Sequence, residues 1–167
     1  DYFKAITDDQ ADLIENARLF FVGSADPTLE TGPHGVGPVN LSPKGGVPLH
    51  IVDRNRVAYL DYTGSGNETA RHSTAGGPIT VMICSFEQEN AAVVRLYGKA
   101  TIKSVADSPL GAKLMETPAT EIALPERQVV DIANDSTVTS CGYGVPVMDD
   151  SRDRKIADRG RRYKDRK

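Results

Sequence analysis

Two segments of the chain carry residues of the kind that hold anions. Asn-Leu-Ser-Pro-Lys-Gly-Gly occupies positions 40–46, and Tyr-Thr-Gly-Ser-Gly-Asn-Glu-Thr occupies positions 62–69. Each follows a run that reads as a strand, and each offers hydroxyls and backbone N–H groups freed by glycine. Lys44 adds a cation, and a helix opening near Asn67 would turn its positive end toward the same space. Backbone N–H groups, Ser/Thr hydroxyls and a point charge are the elements of a phosphate site. The candidate binding residues are therefore Asn40, Ser42, Pro43 and Lys44 from the first segment. Tyr62, Thr63, Ser65, Asn67, Glu68 and Thr69 come from the second. Gly, Ser, Pro and Asn also dominate ordinary turns, so spacing alone leaves a turn reading open beside the phosphate one.

Other chemistries find less support. Cys84 and Cys141 lie 57 residues apart with no CxxC or Cys/His spacing, and Cys84, inside ITVMICSF, reads as a small buried hydrophobe. His34, His50 and His72 form no HExxH or i,i+4 pair, so no metal site is expected. The sequence contains no GxSxG, no GxxxxGK[ST], and no GxGxxG between a strand and a helix.

The elements that must position these residues follow from periodicity. Thr7 and Gln10 form a capping box ahead of an amphipathic helix predicted over 8–18, with Asp8 and Asp9 in its first turn. LFFVGSA reads as a short buried strand, and DPTLETGPHGVGP as a loop. A strand over 38–42 is expected to stop at PKGGVP, and another around Val57–Tyr62 to stop at TGSGN. ETARHSTAGG reads as a short helix closed by Gly76 and Gly77. ITVMICSFE and AAVVRLYGKATIKSV form the strongest hairpin signal, joined at QEN. SPLGAKLMET reads as a short helix, with RQVVDIA and STVTSC as two further strands. At least six strands with two or three short helices, without repeat or βαβ alternation, predict an antiparallel β-barrel with helical decoration.

The chain has 167 residues, 39% hydrophobic and 26% charged, within the range of globular proteins. No apolar run reaches membrane-spanning length, and DYFKAITDDQ lacks the features of a signal peptide, so no membrane association and a cytoplasmic location are expected. The net charge of −3 conceals an asymmetry: residues 1–148 carry −7 and residues 149–167 carry +4. An acidic body argues against a nucleic-acid partner. The expected organisation is one barrel domain over 1–148, followed by a basic helix or tail over 149–167. In that tail Ile156 and Tyr163, seven apart, would share one helical face.

The ordered series FFVGSA, VNLSPKG, VAYLDYTGSGNETARH, ITVMICSFE, VVRLYGKA and TSCGYGVP resembles the pyridoxamine 5′-phosphate oxidase-like family of FMN-binding split barrels. The likeness runs from about Phe20 to Val147, and TGSGNET and SCGYGVP are its specific parts. It implies a mainly β, six-stranded antiparallel barrel with Greek-key character. It also implies a homodimer with two flavins in clefts at the subunit interface. By position, Lys44 resembles the lysine that reaches the flavin phosphate, and Asn40 and Ser42 share a face toward the ring or ribityl chain. Tyr62 and Thr63 resemble a pair at a strand end near the phosphate. Asn67, Glu68 and Thr69 stand where relatives often place Ser-Arg-Lys, and Val39 stands at an arginine position, so two usual phosphate cations are missing. Arg95 lies where relatives face the partner's flavin; it would meet reduced flavin or an acidic substrate, or form an interface ion pair. Cys141 is read as packing beneath the cleft, and Tyr2, Tyr59 and Tyr97 as core or interface aromatics.

The implied function is an FMN-dependent oxidoreductase acting on a small molecule of unknown identity. The alternatives are a non-catalytic binder of flavin, haem or another small ligand, and a reductase using the deazaflavin F420. The C-terminal Arg/His clamp of true pyridoxamine-phosphate oxidases has no counterpart here, so vitamin B6 oxidation is not implied.

Overall fold

A computed structural model describes residues 1–117, 124–149 and 152. Thr7 and Gln10 form the capping box expected of them: Thr7 Oγ1 accepts from the Gln10 N–H at 3.2 Å, and Gln10 Oε1 accepts from the Thr7 N–H at 3.1 Å. The helix they start, α1 (Asp8–Asn16), ends before the expected 18 because Ala17 is already extended. The remaining helices are α2 (Glu68–Thr74) and α3 (Gly111–Leu114). Gly76, at φ 87°, closes α2 in the left-handed region that other residues avoid.

The strands are β1 (Tyr2–Phe3), β2 (Leu19–Ala25), β3 (Val39–Gly45), β4 (His50–Asp53), β5 (Arg56–Tyr62), β6 (Ile79–Cys84), β7 (Ala92–Lys103) and β8 (Glu126–Cys141). All pair antiparallel, in the order β3-β2-β6-β7-β8-β5-β4, with β1 on β8. The sheet thus has eight strands rather than six, because β1, of two residues, and β4, of four, are too short to announce themselves by alternation. RQVVDIA and STVTSC are one strand, not two. Tyr97 faces Ser136 and Gly98 faces Asn134, so Asp135 is the extra residue of a β-bulge inside β8. Nor does PKGG end β3 at Ser42: Pro43 sits in an edge strand, where a missing N–H costs no ladder bond.

The sheet coils until its two ends meet. Phe20 of β2 and Tyr59 of β5 have three strands between them in the order, yet their rings pack edge to face with centroids 5.3 Å apart. Alternate residues of β2, β6, β7, β8 and β5 fill one interior cluster, among them Phe20, Val22, Val81, Leu96 and Ile132. Ile14 of α1 enters the same core, while the buried Gln10 amide donates to Thr139 Oγ1 and accepts from Thr137, both at 2.9 Å, fastening α1 to β8. A second cluster, Ala58, Leu60, Leu114 and Val129, buries the outer face of β5 and β8 beneath α3. Among the described residues no helix is long and apolar enough to cross a membrane. Of the C-terminal helix or tail expected over 149–167, residues 150, 151 and 153–167 lie outside the described residues.

Candidate site at the barrel seam

β3 and β5 approach each other without backbone pairing, so side chains close the gap between them. Along β3 the residues alternate: Asn40, Ser42 and Lys44 are half-buried, and Val39, Leu41 and Pro43 point outward. Lys44 Nζ lies 2.8 Å from Asp61 Oδ1 on β5 and 5.6 Å from the centroid of the Tyr59 ring. The other oxygen of Asp61 accepts from Arg127 Nη2 at 2.6 Å, Arg127 Nε at 3.2 Å and Gln128 Nε2 at 2.8 Å. Gln128 Nε2 also donates to Asn67 Oδ1 at 2.8 Å, and Arg127 Nη1 to the Gly66 carbonyl at 3.0 Å. Above this cluster Asn40 Nδ2 donates to Ser42 Oγ at 3.0 Å and lies 3.4 Å from Thr69 Oγ1 on α2.

Burial pushes the Asp61 carboxyl up, but Lys44, Arg127 and Gln128 outweigh it and hold the group below its ordinary value. An ionised carboxylate between two cations leaves the cluster one positive charge in excess. The donor set of ammonium, guanidinium, amides and hydroxyls therefore suits a phosphate rather than a metal or a neutral ligand. Among the described residues no group of His, Cys, Asp and Glu is arranged to hold a metal ion.

The predicted residues divide. Asn40, Ser42, Lys44, Asn67 and Thr69 converge at the seam. Ser65, Asn67 and Glu68 line an adjoining groove of about 850 Å³ that also contains His34, Arg71 and Gln128. Tyr62 packs on both apolar clusters. Thr63 is exposed and donates its N–H to the Pro125 carbonyl at 3.1 Å, and Pro43 faces outward. Arg95 is remote from the seam, on the outer face of β7, where Nη1 donates to Ser140 Oγ at 2.9 Å. Lys44 is not the unpartnered cation its sequence neighbourhood suggests. Cys141 is exposed rather than packed, and Cys84 is half-buried, its thiol pushed up by burial.

Asp61, Arg127 and Gln128 escaped sequence reasoning. They come together because β5 pairs with β8 in a register that sets Asp61 opposite Gln128. The only signal was the charge of Arg127 at the start of a strand. A second buried chain, also unforeseen, braces α2. Arg71 Nη2 donates to His72 Nε2 at 2.8 Å, so the His72 proton resides on Nδ1, 2.9 Å from Ser24 Oγ. Arg71 Nη1 pairs with Asp26 at 3.1 Å, and Asp26 accepts from the Thr28 hydroxyl and N–H, fixing the loop after β2.

An antiparallel barrel closed at one seam by side chains, with a cationic cluster at that seam, defines a split barrel whose open edge is positively charged. No protein-family model matches the chain. It is 31% identical over 151 residues to the pyridoxamine 5′-phosphate oxidase family protein ustO of Aspergillus flavus, a match over 89% of this chain and 57% of that one. The chain thus spans little more than half the length of that relative. An FMN-binding protein of Syntrophomonas wolfei shares the fold at 10% identity, with a TM-score of 0.56 over 77% of this chain and 86% of that one. HutZ, the haem storage protein of Vibrio cholerae, also shares it at 10% identity, with a TM-score of 0.51 over 81% of this chain and 94% of that one. Over most of its own length the chain is thus similar in sequence to a pyridoxamine 5′-phosphate oxidase family protein.

Proposed function

We propose that the chain is a flavin mononucleotide-binding oxidoreductase acting as a homodimer on a small-molecule substrate. The observation that carries the reading is the pairing of Lys44 and Arg127 on one carboxylate at the seam, with one charge left over for a phosphate. Arg127 makes good one of the two cations that the sequence lacks at the expected positions. Lys44 and Arg127 would hold the phosphate, Asn40, Ser42 and Thr69 would hydrogen-bond the neighbouring chain of hydroxyls, and Asp61 would keep both cations in place. The flavin supplies hydride or single-electron chemistry when bound. The protein contributes position and charge, since none of its seam residues is placed as a general acid or base. Arg95 and Tyr97 stand on the outer face, and in the dimer they would act on the partner's site.

Titration of the purified protein with FMN and with riboflavin tests this. Flavin absorbance should accompany the bound protein. Lys44→Ala and Arg127→Ala should each weaken FMN ten- to a hundred-fold, roughly 1.5–3 kcal/mol for a charge-assisted contact. Riboflavin, lacking the phosphate, should be almost unaffected. Equal losses for both ligands would make the two cations purely structural. A Soret band or a deazaflavin spectrum from the protein as isolated would replace FMN with haem or F420.

A further inference from the structure

The outer face of the sheet holds a cation that no described residue neutralises. On β7 the outward positions alternate with the core residues Val94 and Leu96, and they are Val93, Arg95 and Tyr97. Arg95 stands opposite Met82 on β6 and Val138 on β8, and Met82 in turn stands opposite Phe21 on β2. The half-buried guanidinium donates to Ser140 Oγ at 2.9 Å. Among the described residues it forms no ion pair. Over Val39–Gly45 of β3, Leu19–Ala25 of β2, Ile79–Cys84 of β6 and residues 136–140 of β8, no outward position carries a charge. The carboxylates that flank these rows are Asp135 at the bulge and Glu87 and Glu89 between β6 and β7, all exposed at the margins of the face.

A two-fold dimer packed through this face sets the face against itself. The second copy then brings further apolar surface and a second Arg95, and those rows supply no carboxylate to either. A guanidinium covered without an anion is strongly unfavourable, so the counter-ion has to come from a ligand. We propose that Arg95 anchors the carboxylate of the substrate, an organic acid whose apolar body rests among Phe21, Met82 and Tyr97. The proposal rests on the reading of the chain as a homodimeric flavoprotein and adds the substrate class to it. The planar guanidinium, steadied by Ser140, keeps N–H groups for bidentate contact with a carboxylate. A phosphate monoester carries about one charge more than this single cation matches. The apolar neighbours favour a carboxylate on a hydrocarbon or aromatic body over a small hydrated anion.

Benzoate and its neutral isostere benzamide test the proposal by calorimetry on the flavin-loaded protein, after flavin absorbance and light scattering have established loading and dimer. Benzoate should bind about ten- to a hundred-fold tighter than benzamide, the size of a charge-assisted contact. Arg95→Gln should abolish that preference while dimer and flavin persist, and Arg95→Lys should keep part of it. A chain that takes up no flavin overturns the earlier reading alone, because the same calorimetry is then run on the flavin-free dimer. A chain that stays monomeric overturns the proposal, since Arg95 then remains solvated. Equal binding of the two compounds, no benzoate binding, or a preference that survives Arg95→Gln would each overturn it as well. So would an Arg95→Gln variant that splits the dimer, which would make Arg95 an interface cation. A variant that shifts the flavin potential and leaves the benzoate preference intact would make it a flavin contact instead.

Discussion

At the scale of single residues, the buried partners set the behaviour of the charged groups. His72 is held below its ordinary value first by burial and then by the adjacent Arg71 guanidinium. A depressed pKa means that the folded chain binds fewer protons than the unfolded one as pH drops below about 6.5. The stability that the neutral ring provides is therefore complete above that pH and declines below it. His50, lowered by burial and by Lys113, acts with the same sign, so the clean comparison is made in a His50→Gln background. Urea midpoints should fall between pH 7 and 5.5 in that background and stay nearly flat once His72→Gln is added. A slope unchanged by the second substitution would place the titrating group elsewhere. The sequence made the alternation of Asn40, Ser42 and Lys44 legible, because a period of two is local. It could not show that Lys44 and Arg127 both meet Asp61, since those contacts join residues 17 and 66 positions apart. Only the closure of the sheet brings them together.

At the scale of elements, the places where sequence reading slipped are the places where backbone geometry is irregular. Asn134-Asp135 has the composition of a turn but lies at a bulge within one 16-residue strand, so its sequence pattern divides where its backbone does not. The bulge depends on Gly98 opposite it, where a Cβ would run into the Ala133 carbonyl oxygen. Gly98→Ala should cost about 1–3 kcal/mol, the range of overpacking in a rigid interior, read as a lower denaturant midpoint at an unchanged slope. Gly144→Ala is the matched control, because nothing lies within 4 Å of the position its Cβ would take. If the two variants unfold alike, the bulge tolerates the side chain and β8 bends more readily than its geometry implies. The elements that were legible, α1 and the β6–β7 hairpin, are those whose caps and alternation lie within a dozen residues.

At the scale of the whole molecule, the outer face of the sheet decides what state of assembly the fold can support. Leu41, Gly23, Thr80 and Tyr97 stand in one row across β3, β2, β6 and β7. Val39 and Leu41 are 67% and 68% exposed, and Tyr97 is 37% exposed. An edge strand whose outward side chains are apolar, beside a flat row of small residues, leaves a monomer with a surface that favours association. Arg95 occupies the next row on the same face, opposite Met82, so a second copy packed there would cover it and give it a site to act on. The protein should therefore run as a homodimer in light scattering at micromolar concentration, with Leu41→Arg shifting it to monomer. Because Leu41 touches neither core cluster, that variant should keep its thermal transition within a few degrees. Flavin binding should weaken with the dimer, since a cleft completed by two subunits cannot survive their separation. A Leu41→Arg monomer that binds FMN as tightly as the parent chain would confine the site to one subunit and leave the seam residues sufficient by themselves.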